Sequence, residues 1–73
     1  MISKYSIVVQ NKVTQVNYLY RIITDNITKT LCDLSIYNNV LDYYPYNTDC
    51  DRYLFEHYKI KFENIRKDRK IYK

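Results

Sequence analysis

Apolar and polar residues recur with a helical period in one long stretch of this chain, its last third. Phe55, Tyr58, Phe62 and Ile65 fall at spacings of three and four, and Tyr72 continues the row past Arg69. At about 100° per residue these positions form one apolar stripe, which Leu54 widens. Thr48 stands where an N-cap belongs, with Asp49 and Asp51 in the first turn, where the helix dipole favours anions. Arg66, Lys67, Arg69 and Lys70 lie toward the opposite end, where cations are favoured. The pattern predicts an amphipathic helix over about residues 49–70, with Phe62 in the core. A strand over Tyr58–Phe62 also alternates well but accounts for fewer residues.

Upstream, the pattern changes. Turn-forming pairs at Asn11-Lys12, Asp25-Asn26 and Asn38-Asn39 recur every 13 to 14 residues. In a chain without glycine, any turn that needs positive φ is expected to fall to Asn or Asp. The segments between, Tyr5–Gln10, Val13–Thr24, Ile27–Tyr37 and Val40–Tyr44, are rich in Val, Ile, Thr and Tyr, which suit a pleated surface. Val16, Tyr18, Tyr20 and Ile22 alternate to one side, with Asn17 and Arg21 on the other. Pro45 disfavours helix at Tyr44, which should be extended. The fold class expected is therefore α+β: a small antiparallel β-meander of about four strands over residues 4–44, packed on the C-terminal helix.

An all-α three-helix bundle is the alternative. Val9, Val13, Val16, Tyr20, Ile23, Ile27, Leu31, Leu34 and Leu41 also fit a three-four repeat, giving helices over 13–24 and 27–43. Composition weighs against it, because residues 1–47 contain no Ala, no Glu and many β-branched side chains.

Length and composition narrow the picture. The 73 residues suit a single small domain, 1–73, whose lone core stabilises it by no more than roughly 3–5 kcal/mol. A partner or a homodimer would add to that. Ile, Asn, Lys and Tyr supply nearly half the chain, while Gly, Ala and Trp are missing. Such a bias toward AT-rich codons points to a virus, phage, mobile element or low-GC bacterium. The apolar run Ile7-Val8-Val9 is too short for a signal peptide or a membrane span, so a cytoplasmic protein with reduced Cys32 and Cys50 is expected, with no membrane partner.

The candidate chemistry is sparse. Cys50 and His57 lack further ligands at zinc spacing, and no glycine-rich phosphate loop exists in a chain with no glycine. No metal, cofactor or catalytic constellation is expected, and hence no enzyme. Two features suggest binding instead. Most of the net charge of +4 lies in the last third, where Arg52, Lys59, Arg66 and Lys73 recur every seven residues with Lys70 close by. On one helix they would form a row able to follow phosphates or an acidic protein, partly neutralised by Glu56 and Glu63. The ten tyrosines exceed what a small core hides, and Tyr43, Tyr44 and Tyr46 form the densest cluster. The partner-binding candidates are thus Tyr43, Tyr44, Tyr46, Arg52, Lys59, Arg66, Lys70 and Lys73. The expected function is a small non-enzymatic binding protein of viral, phage or mobile-element origin. It would occupy and block a host or defence macromolecule, such as a larger protein or a nucleoprotein complex that handles nucleic acid. A DNA- or RNA-binding regulator using the basic face is the alternative.

Overall fold

The computed structural model describes residues 2–71, and side chains over 2–66. The fold is α+β, a four-stranded mixed sheet with one helix on each face. Strand β1 (Ser3–Asn11) turns back into β2 (Asn17–Thr24), α1 (Ile27–Leu34) leads to β3 (Asn38–Pro45), and α2 (Thr48–His57) precedes a 3-10 turn at Phe62–Asn64 and β4 (Ile65–Ile71). The strand order is β3-β1-β2-β4. β1 is antiparallel to both of its neighbours, whereas β4 runs parallel to β2. It follows that β2, β3 and β4 share one direction and β1 opposes them.

That geometry explains why two helices are needed. Parallel strands cannot be joined by a tight turn and require a crossover. α1 carries the chain from β2 over β1 to β3, and α2 carries it back across the sheet to β4. Crossovers keep a fixed hand, so reversing the direction of travel places the second helix on the opposite face. The packing agrees. Ile7, Val9 and Ile22 form one core layer under Ile27, Leu31 and Leu34 of α1. Val8 and Leu19 form the other with Leu54 of α2, Ile60, Phe55, Tyr58 and Ile65. Because both faces of β1 are covered, Ser6, Ile7, Val8 and Val9 are all buried. Such a continuous buried run is what central strands of a doubly covered sheet show.

The all-α alternative is excluded, and the expected segments 5–10 and 40–44 form strands, whereas 13–24 does so only from Asn17, its first residues forming the turn after β1. The sheet, however, is mixed rather than purely antiparallel. Ile27–Tyr37, expected as a strand, instead begins with α1, capped by Asn26, whose side chain accepts from the Lys29 N–H. Asn38 and Asn39 open β3 rather than forming a turn.

The expected helix over 49–70 is corrected most. It starts one residue earlier than predicted: Asn47 is the N-cap, its Oδ1 accepting from Cys50 N–H at 2.8 Å. It ends at His57, because Tyr58, Lys59 and Ile60 close it in a Schellman turn. Lys59 N–H donates to Glu56 O and Ile60 N–H to Phe55 O, while Ile60 packs back into the layer that holds Phe55. A helix over 49–70 would have been about 33 Å long, beyond the 31 Å greatest extent of the fold. Ile65 therefore reaches the core from a strand. Phe62, expected in the core, is 84% exposed. Tyr72 and Lys73 lie outside the described residues.

The positive-φ positions also differ from expectation. Among the described residues they are Gln15, at 61°, and Lys59, at 51°, rather than any Asn or Asp. The asparagines act through their side chains: Asn11 Oδ1 accepts from the N–H groups of Val13 and Thr14, and Asn26 and Asn47 cap helices. No helix among the described residues is long and apolar enough to cross a membrane.

Candidate interaction surface

Alternation along β3 sends its side chains to two faces. Tyr43 pairs with Ile7 and turns to the α1 side, where its ring lies 6.5 Å from Tyr5. Tyr44 pairs with Ser6 and faces α2, as do Asp42 opposite Val8 and Tyr46 near Lys4. The predicted tyrosine cluster is thus divided by the sheet. Tyr44 and Tyr46 belong to one surface, and Tyr43 to the other.

α2 supplies the rest of that surface. Leu54 points into the core, so Tyr53 and His57, four apart on the helix, lie along the outer side toward β3. Tyr44 meets Tyr53 edge-on at 6.3 Å, Tyr53 stacks on His57 at 5.2 Å, and His57 meets the Tyr58 ring edge-on at 4.8 Å. The Tyr58 hydroxyl donates to Asp42 Oδ2 at 3.3 Å, which ties the row back to β3. Lys4 Nζ lies 4.2 Å above the Tyr46 ring and extends the surface at its other end. The Asp42 charge raises the Tyr44 hydroxyl above its ordinary ionisation range, with burial adding to it. Burial raises Tyr58, and the Asp42 charge and hydrogen bond raise it further. Both phenols stay protonated donors. The result is an aromatic row whose central members, Tyr44 and Tyr53, remain open to solvent.

β3 is also an edge strand, but a guarded one. The β1–β3 ladder shifts register between Val8 and Val9, leaving Leu41 as an extra residue. Tyr43 N–H donates to its neighbour Asp42 Oδ1 at 2.9 Å, and Pro45 closes the strand without a donor. A bulge, a carboxylate and a proline all discourage strand addition here. Recognition at this rim therefore falls to side chains.

Beneath α2 lies a polar tie that sequence reasoning missed. Arg21 of β2 donates from Nε and Nη2 to the two oxygens of Asp51, and Ser6 Oγ donates to the same carboxylate at 2.7 Å. Ser6 and Asp51 are buried. Burial pushes the Asp51 carboxyl up, but the hydrogen bonds from Arg21 and Ser6 and the charges of Arg21 and Lys4 more than offset it. The net result lies below the ordinary value. Asp51 reads in sequence as a helix-start residue. Its one added signal was Arg21, a cation on an otherwise apolar strand.

The predicted basic row does not assemble. Arg52 is exposed on α2, and Lys59 occupies the left-handed position after it. Arg66 lies on β4 opposite Tyr20, its guanidinium 4.8 Å from the Tyr18 ring on the α1 side of the sheet. Lys70 pairs with Ile23 in β4. Lys73 lies outside the described residues. The seven-residue spacing put these groups on one side only while the segment was a single helix. The two thiols sit on helices over opposite faces, Cys32 on α1 and Cys50 on α2. Comparison with protein families, with curated proteins and with solved structures found no match.

Proposed function

We propose that this protein is a small non-enzymatic binding module that acts by occupying the surface of a larger protein through the rim where β3 meets α2. The aromatic row carries this reading: Tyr44, Tyr46 and Tyr53 are 37%, 37% and 48% exposed on one face, held by ring contacts with each other's neighbours. Tyrosines already packed edge-to-face lose little rotamer freedom on binding and offer large apolar area with a polar tip. Anchors of this kind carry most of the energy of many interfaces.

The AT-biased composition supports the further proposal that the gene is viral, phage-derived or mobile. Its target would then be a host or defence complex that handles nucleic acid, met in the host cytoplasm. Direct DNA or RNA binding is less supported, because Arg52 and Arg66 lie on opposite faces of the sheet.

The test is site-specific photo-crosslinking in lysate of the expected host, with the crosslinker at Tyr53 and, as control, at exposed Thr28 of α1. A protein captured from position 53 alone, resistant to nuclease and lost on Tyr44→Ala, supports the proposal. Capture equal at both positions refutes it. So does capture abolished by nuclease, or gel-shift affinity that falls by about 0.9 log per log salt for each phosphate contacted.

A further inference from the structure

Next to the aromatic rim, with which it shares Tyr46, a groove of about 280 Å³ opens between α2 and the turn leading into β4. Phe55 and Ile65 form its apolar floor, Phe62 and Tyr46 stand at its borders, and Arg52 lies at its rim. Among the described residues Phe62 is the largest apolar side chain left this open, beside a core of two well-covered layers. Its place beside Phe55 and Ile65 makes the ring part of a continuous apolar slot rather than an isolated exposed side chain.

Charge selects what fits there. The acid in the groove, Asp51, is bound by Arg21 and Ser6, so it has no attraction to spare. Arg52 makes no ion pair among the described residues, although Asp49 and Glu56 stand within helical reach of it and neither lines the groove. An approaching carboxylate meets the Arg52 guanidinium beside an apolar slot, and an approaching ammonium meets a like charge there. Arg66, the next residue of the seven-residue spacing with a described side chain beyond Lys59, faces the other side of the sheet and does not extend Arg52 into a phosphate-following row.

We propose that this groove takes a short acidic segment of a partner protein. One bulky apolar side chain enters between Phe55, Phe62 and Ile65, and a neighbouring carboxylate pairs with the Arg52 fork. This rests on the reading of the protein as a binding module and names a second contact on the same partner, separate from the Tyr44–Tyr53 row.

The experiment measures binding of two fluorescent probe peptides to the intact chain by anisotropy. One alternates Glu with Phe; the other carries Lys in place of every Glu. The expected result is saturable binding of the Glu peptide alone, weakened by salt. Arg52→Glu and Phe62→Ala should each lower that affinity by at least about tenfold, with unchanged melting curves, since both side chains are exposed. Tyr53→Ala should leave peptide binding intact. Equal or tighter binding of the Lys peptide overturns the proposal. So do affinities unmoved by Arg52→Glu, or a single-stranded oligonucleotide that displaces the Glu peptide in an Arg52-dependent way. Absence of any peptide binding while crosslinking at Tyr53 persists removes this groove and spares the aromatic rim; the reverse pattern removes the rim and spares the groove.

Discussion

Arg21 on β2 and Asp51 on α2 meet in a two-pronged ion pair, with Nε–Oδ1 at 3.1 Å and Nη2–Oδ2 at 2.6 Å. The pair pins the second helix to the centre of the sheet, and Ser6 completes the carboxylate's hydrogen bonds from β1. Breaking such a pair by removing one partner strands the other charge under the helix. Asp51→Asn should therefore cost about 2–3 kcal/mol, below the figure for a fully enclosed pair because Arg21 keeps 30% exposure. Urea melts check this, and a cost under about 0.5 kcal/mol would remove the tie from the fold's supports.

The same carboxyl fixes a pH signature. Its folded value lies below the ordinary 3.8, so its stabilisation is fully present above that value and is lost as pH falls through the folded one. The gap in stability between wild type and Asp51→Asn should stay level from neutral pH to about pH 5 and close below about pH 4. Melts across that range decide it; a gap that widens in acid would reverse the assignment.

Lys59 holds a left-handed backbone with a full side chain, at φ 51°, where glycine is the usual occupant. Lys59→Gly should raise stability by about 1 kcal/mol, since the strain removed outweighs the extra freedom of the unfolded chain. The denaturation midpoint should rise with its slope unchanged. A drop in stability would show that the lysine side chain contributes more than the turn strain costs.

Phe62 and Leu54 separate true core from sequence stripe. Leu54 is fully buried between Val8 and Leu19, so Leu54→Ala should cost about 2–5 kcal/mol and leave much of the chain unfolded at room temperature. Phe62→Ala should change stability by less than about 0.5 kcal/mol, as at other exposed sites. Equal losses in thermal melts would mean that Phe62 is covered in solution.

Asp42 governs two phenols at once, raising Tyr44 mainly through its charge and Tyr58 through charge and hydrogen bond on top of burial. Asp42→Asn should let both ionise at lower pH, since it removes the first cause of the shift at Tyr44 and two of the causes at Tyr58. An alkaline ultraviolet titration shows this as an earlier tyrosinate rise. An unchanged curve would separate Asp42 from the aromatic row.

Local pattern alone decided a good part of this protein. The β-branched and aromatic run from Ser3 to Thr24 makes two strands because those side chains pack on a pleated surface and lose freedom in a helix. Asn47, Asp49 and Asp51 start α2 through capping and dipole effects confined to one turn. Ten tyrosines exceed what a core of this size can hide, and the surface position of Tyr44 and Tyr46 was legible for that reason.

Tertiary structure decided the rest. At eight residues α1 is too short to hold itself in water, and its Ile27, Leu31 and Leu34 become a helix face only because β2 and β3 run parallel and need a crossover. Residues 65–71 have isoleucine only at their ends and no alternation between; they become a strand because β2 offers an open edge that a charged segment closes. Those same events moved Arg66 away from Arg52, put Phe62 in solvent, and set Arg21 beneath Asp51, thirty residues away in the chain. Periodicity reports which neighbours share a face only while one element persists. Where the element changes, the partner surface chooses the face.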